Sequence, residues 1–313
     1  MKPIVFLSIV YIFAFASCKQ KEAKDPWDDT LNSGLIRIAC DENFKSLMDA
    51  EIAVFEARTP GAIILPVYTN ETEAIRLLTE DSVRLALVTR DLTAKEHADI
   101  GKRSLTVRTN LIGFDAIALV MNPMNKDSIL SMPVLKKILT GEITEWSQIH
   151  PDSPIGTIRM IVDNKESAIV RYIVDSITRG TLLTSNIYAL GNSEEVMKKV
   201  MQMPNAIGIF GVNALNHAQA DYKDKIRLVR ISNEEPATVG NSYLPYPGDI
   251  RAENYPLWRP VYVLLSDPKS GLSSGLSIFL AHEAGQLILL KSGLLPITDP
   301  QNKSVLIKDE YPK

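Results

Sequence analysis

Few residues of this chain are spaced for catalysis or for metal binding. Residues 271–275 read Gly-Leu-Ser-Ser-Gly, the pattern of a serine nucleophile, but the preceding β-like run ends near Leu265, so this serine does not directly follow a strand. His282 and Glu283 begin an H-E-x-x-H zinc motif, but position 286 is glutamine and the second histidine ligand is missing. We therefore expect no enzyme activity, no metal site and no cofactor.

Polar residues that could contact a ligand follow three apolar runs in the first third of the chain. The runs end at Cys40, Val67 and Val88, and the polar segments 41–44, 68–70 and 89–91 come next. Helical patterns separate the runs, and right-handed β-α-β connections would bring all three polar segments to one edge of a parallel sheet. Because open α/β folds bind ligands at that edge, the sequence predicts a ligand site there.

The elements that would position this edge alternate between short strands and amphipathic helices. Strands are predicted over 35–40, 63–67 and 83–88, and helices over 45–58 and 71–80. The pattern restarts further along, with strands over 104–113, 115–121, 157–162, 206–210, 225–231 and 258–265 and helices over 133–140, 167–178, 194–201 and 276–290. This alternation predicts an α/β protein of two lobes, each a sheet flanked by helices.

Composition excludes several classes of protein. A chain of 313 residues exceeds what one compact core usually serves, and 45% apolar residues rule out disorder. The 34 basic and 37 acidic side chains give a net charge of −3, which argues against nucleic acid as a partner because that affinity depends on clustered lysine and arginine.

The N-terminus has the pattern of a secretory signal. Lys2 precedes an apolar run over 4–16, and Ser17 stands directly before Cys18, as in the segment where a bacterial lipoprotein is acylated on cysteine. We expect a signal peptide over 1–17, lipidation of Cys18 and a charged tether over 18–30, which would anchor the protein in the cell envelope facing the periplasm or the outside. A plain cleaved signal with an incidental cysteine is the alternative. Cys40 is expected to be a small buried strand residue.

Six motifs between about residues 34 and 296 carry a resemblance to a known family. They are TRDLT at 89–93, DAIALVMN at 115–122, LTGEITEW at 139–146, AIGI at 206–209, YPLWR at 255–259 and GQ at 285–286. With these motifs the chain resembles the phosphate-type periplasmic solute-binding proteins of ABC transporters, in the lipoprotein form of bacteria related to Bacteroides. The resemblance implies a type II periplasmic-binding-protein fold with two hinge strands, lobe I formed by 31–114 and 262–313, and lobe II by 115–261.

The resemblance also implies an oxyanion site between the lobes, built from helix N-termini, hydroxyls and one arginine fork. The residues expected there are Asp41, Glu42, Asn43, Phe44, Thr89, Arg90 and Ser167. Each has a structural alternative: Asp41, Asn43 or Ser167 could only cap a helix, and Arg90 could only pair with Asp91 or Glu96.

Two departures from the family bear on the ligand. Asp163 and Ile169 stand where the family has an arginine and a threonine, and Asp41 and Glu42 place two carboxylates in a loop that is usually rich in hydroxyls. Such a carboxylate about 4 Å from a bound anion repels it by roughly 4 kcal/mol at an effective dielectric near 20. This disfavours phosphate unless Lys45, Arg90, Lys165 or Arg171 compensates the charge. The expected function is a monomeric solute-binding protein that delivers phosphate or a related oxyanion to an ABC permease. The alternative is an envelope interaction or sensory module that binds no small ligand or a different one, such as a cation or a zwitterion.

Overall fold

The structure is a computed structural model that describes residues 29–181, 183–222 and 224–300. The first part of the chain contains β1 (Ser33–Asp41), α1 (Lys45–Arg58), β2 (Gly61–Thr69), α2 (Glu71–Thr79), β3 (Leu85–Val88), α3 (Ala94–Gly101), β4 (Arg108–Met121), β5 (Ile129–Ser131) and α4 (Met132–Thr140). The middle part contains β6 (Arg159–Val162), α5 (Ala168–Tyr172), which continues as a π-helix (Ile173–Thr178), β7 (Ile187–Ala189), α6 (Ser193–Gln202), β8 (Ala206–Gly211) and α7 (Val212–Tyr222). The last part contains β9 (Arg227–Leu228), β10 (Arg230–Ser232), α8 (Pro247–Arg251), β11 (Trp258–Leu265), α9 (Leu272–Ala281), α10 (Glu283–Lys291) and β12 (Leu295–Pro296).

One long sheet runs through the molecule in the order β2-β1-β3-β11-β4-β8-β6-β7. Its outer strands are parallel to their neighbours in both halves, whereas β11 is antiparallel to β3 and to β4. The strand β4 joins the halves, because its first part pairs with β11 and its residues 117–121 pair with β8. The predicted two-lobe periplasmic-binding-protein fold is confirmed. The exact lobe boundaries stay a prediction.

We call the part built on β1, β2 and β3 the first lobe and the part built on β6, β7 and β8 the second lobe. Two apolar clusters cover the two faces of the first-lobe sheet, one with Phe44 and Phe55 and the other with Ile75 and Leu78. A third, larger cluster around Trp146 fills the second lobe. Separate cores of this kind make each lobe a packed unit, so the chemistry lies where the lobes meet. Within the described ranges, no helix is both long and apolar enough to span a membrane.

Capping residues fix the helix starts that face the space between the lobes. The Asn70 side chain accepts a hydrogen bond from the Glu73 N–H at the start of α2, and the Ser167 hydroxyl accepts one from the Val170 N–H at the start of α5. Caps of this type satisfy free backbone N–H groups of the first turn. They fix the positions of Glu71 and Arg171, one turn or less from each cap. Cys40 is buried in β1, as predicted, and burial raises the pKa of its thiol.

Candidate ligand-binding site

A carboxylate of the first lobe is bound by donors from both lobes. Glu71 opens α2 and is buried; its Oε1 accepts hydrogen bonds from the Thr89 backbone N–H and hydroxyl, both at 2.6 Å. Its Oε2 accepts one from Arg171 Nε of the second lobe, also at 2.6 Å, and Arg171 Nη2 donates to the Thr89 hydroxyl at 3.0 Å. The location of Glu71 at a helix N-terminus adds a favourable dipole interaction. The oxyanion held between the lobes is therefore the carboxylate of Glu71, which belongs to the chain itself.

Arg90 lies beside this group but is directed towards helix α3. Its two terminal nitrogens donate to the two carboxylate oxygens of Glu96, both at 2.8 Å, and its Nε lies 3.9 Å from Glu71 Oε2. Hydrogen bonds and charge from Arg90, together with the Thr93 cap, lower the pKa of Glu96 to about 2. The arginine that reaches across the lobes is thus Arg171, while Arg90 anchors the start of α3.

The turn after β1 packs against the hinge. Asp41 Oδ1 accepts hydrogen bonds from the backbone N–H and side-chain amide of Asn43, both at 2.9 Å, and the Phe44 ring lies 5.5 Å from the guanidinium carbon of Arg259. Burial raises the pKa of Asp41 from 3.8 to about 6, although the charge of Arg259 and the Asn43 N–H act in the opposite direction. Glu42, the remaining residue of the predicted turn, is exposed.

The hinge holds a buried ion pair. Arg259 of β11 donates from Nε and Nη2 to Asp115 Oδ2 of β4, at 3.0 and 2.9 Å, and the Val212 N–H donates to Asp115 Oδ1 at 3.1 Å. Arg259 is only 1% exposed, and its Nη1 has no hydrogen-bond partner among the residues that the structure describes. A buried guanidinium N–H without an acceptor is costly, so this nitrogen is available to an acceptor that enters the site.

These groups border one cavity of about 420 Å³, which we call the basic cavity. Thr89, Arg171 and Arg259 line it together with Ser176, Tyr172 and Trp258, and none of the described residues that line it is acidic. Two guanidinium groups and the three hydroxyls of Thr89, Tyr172 and Ser176 are donors that match the oxygen atoms of phosphate or sulfate. The arrangement can bind a small oxyanion, provided that the anion competes with Glu71 and Asp115 for the same donors.

The predicted site residues lie in three places. Thr89 takes part in the Glu71 contacts, and Asp41, Asn43 and Phe44 cluster beside the hinge, whereas Ser167 caps α5. In the described part of the chain, no hydrogen bond or ion pair joins Asp41 to Arg90 or to Ser167. Cys18 lies outside the described residues, and these contain no cluster of three or more histidine, cysteine or acidic residues that could hold a metal ion.

Three residues that the structure places at this site were not among the predicted site residues: Glu71, Arg171 and Arg259. Arg171 was named only as a charge that could compensate the acidic loop. Glu71 follows directly on the polar segment 68–70 that was predicted at the sheet edge, and Arg171 stands one helical turn after the cap Ser167. A signal existed for both, because residues four apart on a helix share a face and Ser167 was already expected in the cleft. Arg259 was noted only as part of the YPLWR motif.

Comparisons with known proteins agree with this fold. A family model described as a PBP superfamily domain matches residues 23–282. The phosphate-binding protein PstS of Bacillus subtilis (strain 168) is 21% identical over 305 residues, which cover 95% of this chain and 94% of that protein. A crystal structure from Clostridium perfringens, named as a phosphate ABC transporter substrate-binding protein with bound phosphate, aligns with a TM-score of 0.69 at 20% identity and covers 85% of this chain and 100% of that one.

A second solved structure, an ABC-type phosphate transport receptor from Vibrio cholerae, aligns with a TM-score of 0.64 at 19% identity, over 84% of this chain and 100% of that one. Structural likeness at such identities establishes the fold, while the family model spans most of the sequence. The resemblance to periplasmic solute-binding proteins that the sequence motifs indicated is confirmed, and the chain belongs to the PBP superfamily.

Proposed function

We propose that this protein is an extracytoplasmic solute-binding protein that binds phosphate or a related oxyanion in the basic cavity and delivers it to an ABC permease. The observation that carries the proposal concerns Arg259, a residue that lines the cavity together with Thr89 and Arg171: its buried Nη1 has no acceptor among the described residues. The names of the relatives, which are phosphate-binding proteins, support the same ligand class. The protein would act as a monomer without a catalytic step, and its lobes would comprise 31–114 with 262–313, and 115–261.

The contacts of Glu71 support an oxyanion as the ligand. Thr89 and Arg171 already bind a carboxylate through three hydrogen bonds of 2.6 Å, and these donors come from different lobes. A phosphate in their place would link the lobes in the same way and would accept from Arg259 as well. A ligand that contacts both lobes stabilises the closed arrangement, so the closed form marks the ligand-bound state of a two-lobe protein.

Glu71 would then compete with the ligand. Its carboxylate occupies the donors of Thr89 and Arg171, and its charge repels an incoming dianion. Phosphate binding therefore requires the Glu71 side chain to leave these donors. Removing the carboxylate should increase phosphate affinity, which is the reverse of what happens when a ligand-contacting residue is removed.

The test is thermal unfolding with increasing phosphate, for the wild type and for Glu71→Ala. We expect Glu71→Ala to bind phosphate at least about tenfold more tightly than the wild type, which corresponds to about 1.4 kcal/mol. Adding Arg171→Met to Glu71→Ala should abolish the phosphate-dependent shift. Glu73→Ala is the matched control, because Glu73 lies in the same first turn of α2 but pairs with the partly exposed Arg76.

The same experiment decides between the proposal and its alternative, an envelope interaction or sensory module that binds no small ligand. That alternative is favoured by one observation, namely that Arg171 and Glu71 themselves form an ion pair that joins the lobes. If neither the wild type nor Glu71→Ala responds to phosphate, sulfate or arsenate, the oxyanion proposal is wrong and the alternative stands. A phosphate-dependent shift of equal size in both proteins would mean that Glu71 does not compete with phosphate.

We further propose that residues 1–17 are a cleaved signal and that Cys18 carries the lipid that anchors the protein, with 18–30 as a tether. Lys2, the apolar run over 4–16 and Ser17 directly before Cys18 support this. Metabolic labelling with a radioactive fatty acid should label the wild type and leave Cys18→Ala unlabelled. Labelling of Cys18→Ala to the same extent would contradict lipidation at this cysteine.

A further inference from the structure

A second cavity lies between the lobes and has the opposite charge. It measures about 650 Å³ and is lined by Glu42, Asn43, Lys45 and Asp49 from the first lobe, and by Asp163 and Glu194 from the second-lobe side, among others. We call it the acidic cavity. Four carboxylates and one ammonium group border it, so its lining is strongly negative. Clefts lined by one sign of charge concentrate ions of the opposite sign.

Two of the four carboxylates already have cations. Lys45 Nζ lies 2.7 Å from Asp49 Oδ2, and Lys198 Nζ lies 2.6 Å from Glu194 Oε1. Glu42 and Asp163 have no lysine, arginine or histidine nitrogen within 4.0 Å among the residues that the structure describes. Asp163 is only 3% exposed, and the Asn164 N–H donates to its Oδ1 at 2.7 Å. A buried carboxylate without a cation is unusual, because an unpaired buried charge is expensive.

Glu42 and Asp163 influence each other across the gap between the lobes. Burial and the negative charge of Asp163 raise the pKa of Glu42. The two carboxylates come from different lobes, so lobe closure brings like charges together. Like charges disfavour this approach unless a cation lies between them.

Asn43 gives an independent indication of a ligand. It is 4% exposed and lines the acidic cavity, and its side-chain nitrogen donates to Asp41. Its Oδ1 is buried and has no hydrogen-bond donor within the described part of the chain. An orphaned buried acceptor requires a donor, which an ammonium group supplies together with its positive charge.

The chain itself shows how an ammonium group is held at this cavity. Lys45 Nζ sits 4.3 Å from the centre of the Tyr68 ring, while the Tyr68 hydroxyl donates to Asp49. A carboxylate and an aromatic face are the partners that bind alkylammonium groups in proteins. A second ammonium group placed between Glu42 and Asp163 would complete the charge balance of the cavity.

We propose that the acidic cavity binds a small organic cation with a primary ammonium group, held by Glu42 and Asp163 and by the side-chain oxygen of Asn43. This inference does not rest on the oxyanion proposal, because the two cavities are lined by different residues. A bare metal ion is not the ligand, since the described residues place no three metal-ligating side chains together. The size of the cavity suits a polyamine.

The experiment is isothermal titration calorimetry of the folded protein with spermidine in chloride buffer without phosphate, with 1,4-butanediol as the uncharged reference compound. We expect one spermidine per chain for the wild type. The pair Glu42→Gln and Asp163→Asn should weaken binding at least tenfold, because it removes both unpaired carboxylates. The matched control removes two exposed acidic groups elsewhere, Asp152→Asn and Glu235→Gln, and should bind like the wild type.

Two results would overturn the proposal: no heat with spermidine at millimolar concentration, or equal weakening in the control pair, which would mean attraction by overall charge only. If the pair at Glu42 and Asp163 fails to fold, Glu42→Gln alone decides, since this side chain is exposed and its change should still weaken binding severalfold. Repeating the titration on Glu71→Ala separates the two proposals, because spermidine binding should be unchanged there whatever the response to phosphate.

Discussion

The basic and acidic cavities lie between the same two lobes but differ in how their charges are compensated. In the basic cavity each arginine has an internal carboxylate, Arg171 with Glu71 and Arg259 with Asp115. In the acidic cavity Glu42 and Asp163 have no cation within 4.0 Å among the described residues. The difference teaches that the charge of a lining indicates a ligand only where the protein does not already compensate that charge. In the basic cavity, a ligand must compete with the carboxylates that already pair with the arginines. In the acidic cavity, a ligand supplies the cation that the unpaired carboxylates lack.

Depth explains part of this difference. Arg259 and Asp115 are fully enclosed, and a charge removed from water must be paired to be tolerated. Glu42 lies at an exposed position, where water solvates an unpaired carboxylate at little cost. Asp163 is the exception, because it is buried and lacks a cation. Asp163 is therefore the residue of the acidic cavity that gains most from a ligand.

The largest effect is expected from breaking the pair at the hinge. Arg259→Met leaves Asp115 buried without a cation, and breaking a buried pair from one side costs about 3–5 kcal/mol. Urea unfolding monitored by circular dichroism measures the loss. Adding Asp115→Asn should recover part of it, because the uncompensated charge is then gone. A loss below about 1 kcal/mol for Arg259→Met alone would show that this pair is not fully desolvated.

The next effect is a pH dependence at Asp41, beside the hinge. The folded pKa of about 6 exceeds the ordinary value of 3.8, so the folded state binds the proton more tightly than the unfolded state. The free energy of unfolding should therefore fall as the pH rises from about 4 to 6, by about 3 kcal/mol from this group. Asp41→Asn should remove this fall. The stability of the variant relative to the wild type should therefore be greater at pH 8 than at pH 4. Parallel pH profiles of variant and wild type in urea unfolding would contradict the assignment.

A smaller loss is expected from separating the lobes at Glu71. Arg171→Met leaves the Glu71 carboxylate buried with the Thr89 donors and with Arg90 at 3.9 Å, so the cost should be about 2 kcal/mol. The same change should open the lobes, which small-angle X-ray scattering detects as a larger radius of gyration. Arg76→Met, which breaks the surface pairs of α2, is the control and should leave the radius unchanged. If the radius of gyration of Arg171→Met equals that of the wild type, contacts other than Arg171–Glu71 hold the lobes closed.

Much of the first lobe could be predicted from the sequence, because its helices and strands carry clear periodicity. The predicted helix over 45–58 is α1 as observed. Each end of the first three strands lies within two residues of its predicted position. The segments over 104–113 and 115–121 instead form one strand, β4. The first predicted segment ended at Gly113, which lies inside the observed strand. This glycine is required by close packing, because a Cβ there would lie 2.7 Å from Leu289 Cδ2 and 2.8 Å from the Leu295 carbonyl oxygen.

The site was harder to predict, because its main contact joins distant residues. Glu71 and Arg171 are 100 positions apart, and each alone looks ordinary: an acidic residue in a first helical turn and a basic residue near a helix end. Helix α3 was missed because it is short, with eight residues, and mostly polar. The predicted helix over 276–290 is in fact two helices, separated at His282, whose backbone is extended. Local patterns specify elements well, but they do not specify which charges meet after folding.

The smallest expected effect belongs to the acidic cavity and has the opposite sign. Glu42→Gln removes the repulsion with Asp163 and should stabilise the protein by about 0.5 kcal/mol, as expected for a partly exposed charge. Thermal unfolding at low ionic strength should show this gain, and at 1 M salt the gain should vanish because the Debye length falls to about 3 Å. Glu194→Gln is the control, since Glu194 already pairs with Lys198 and its loss should give no gain. A stabilisation of equal size in both variants would mean that the gain does not come from the repulsion between Glu42 and Asp163.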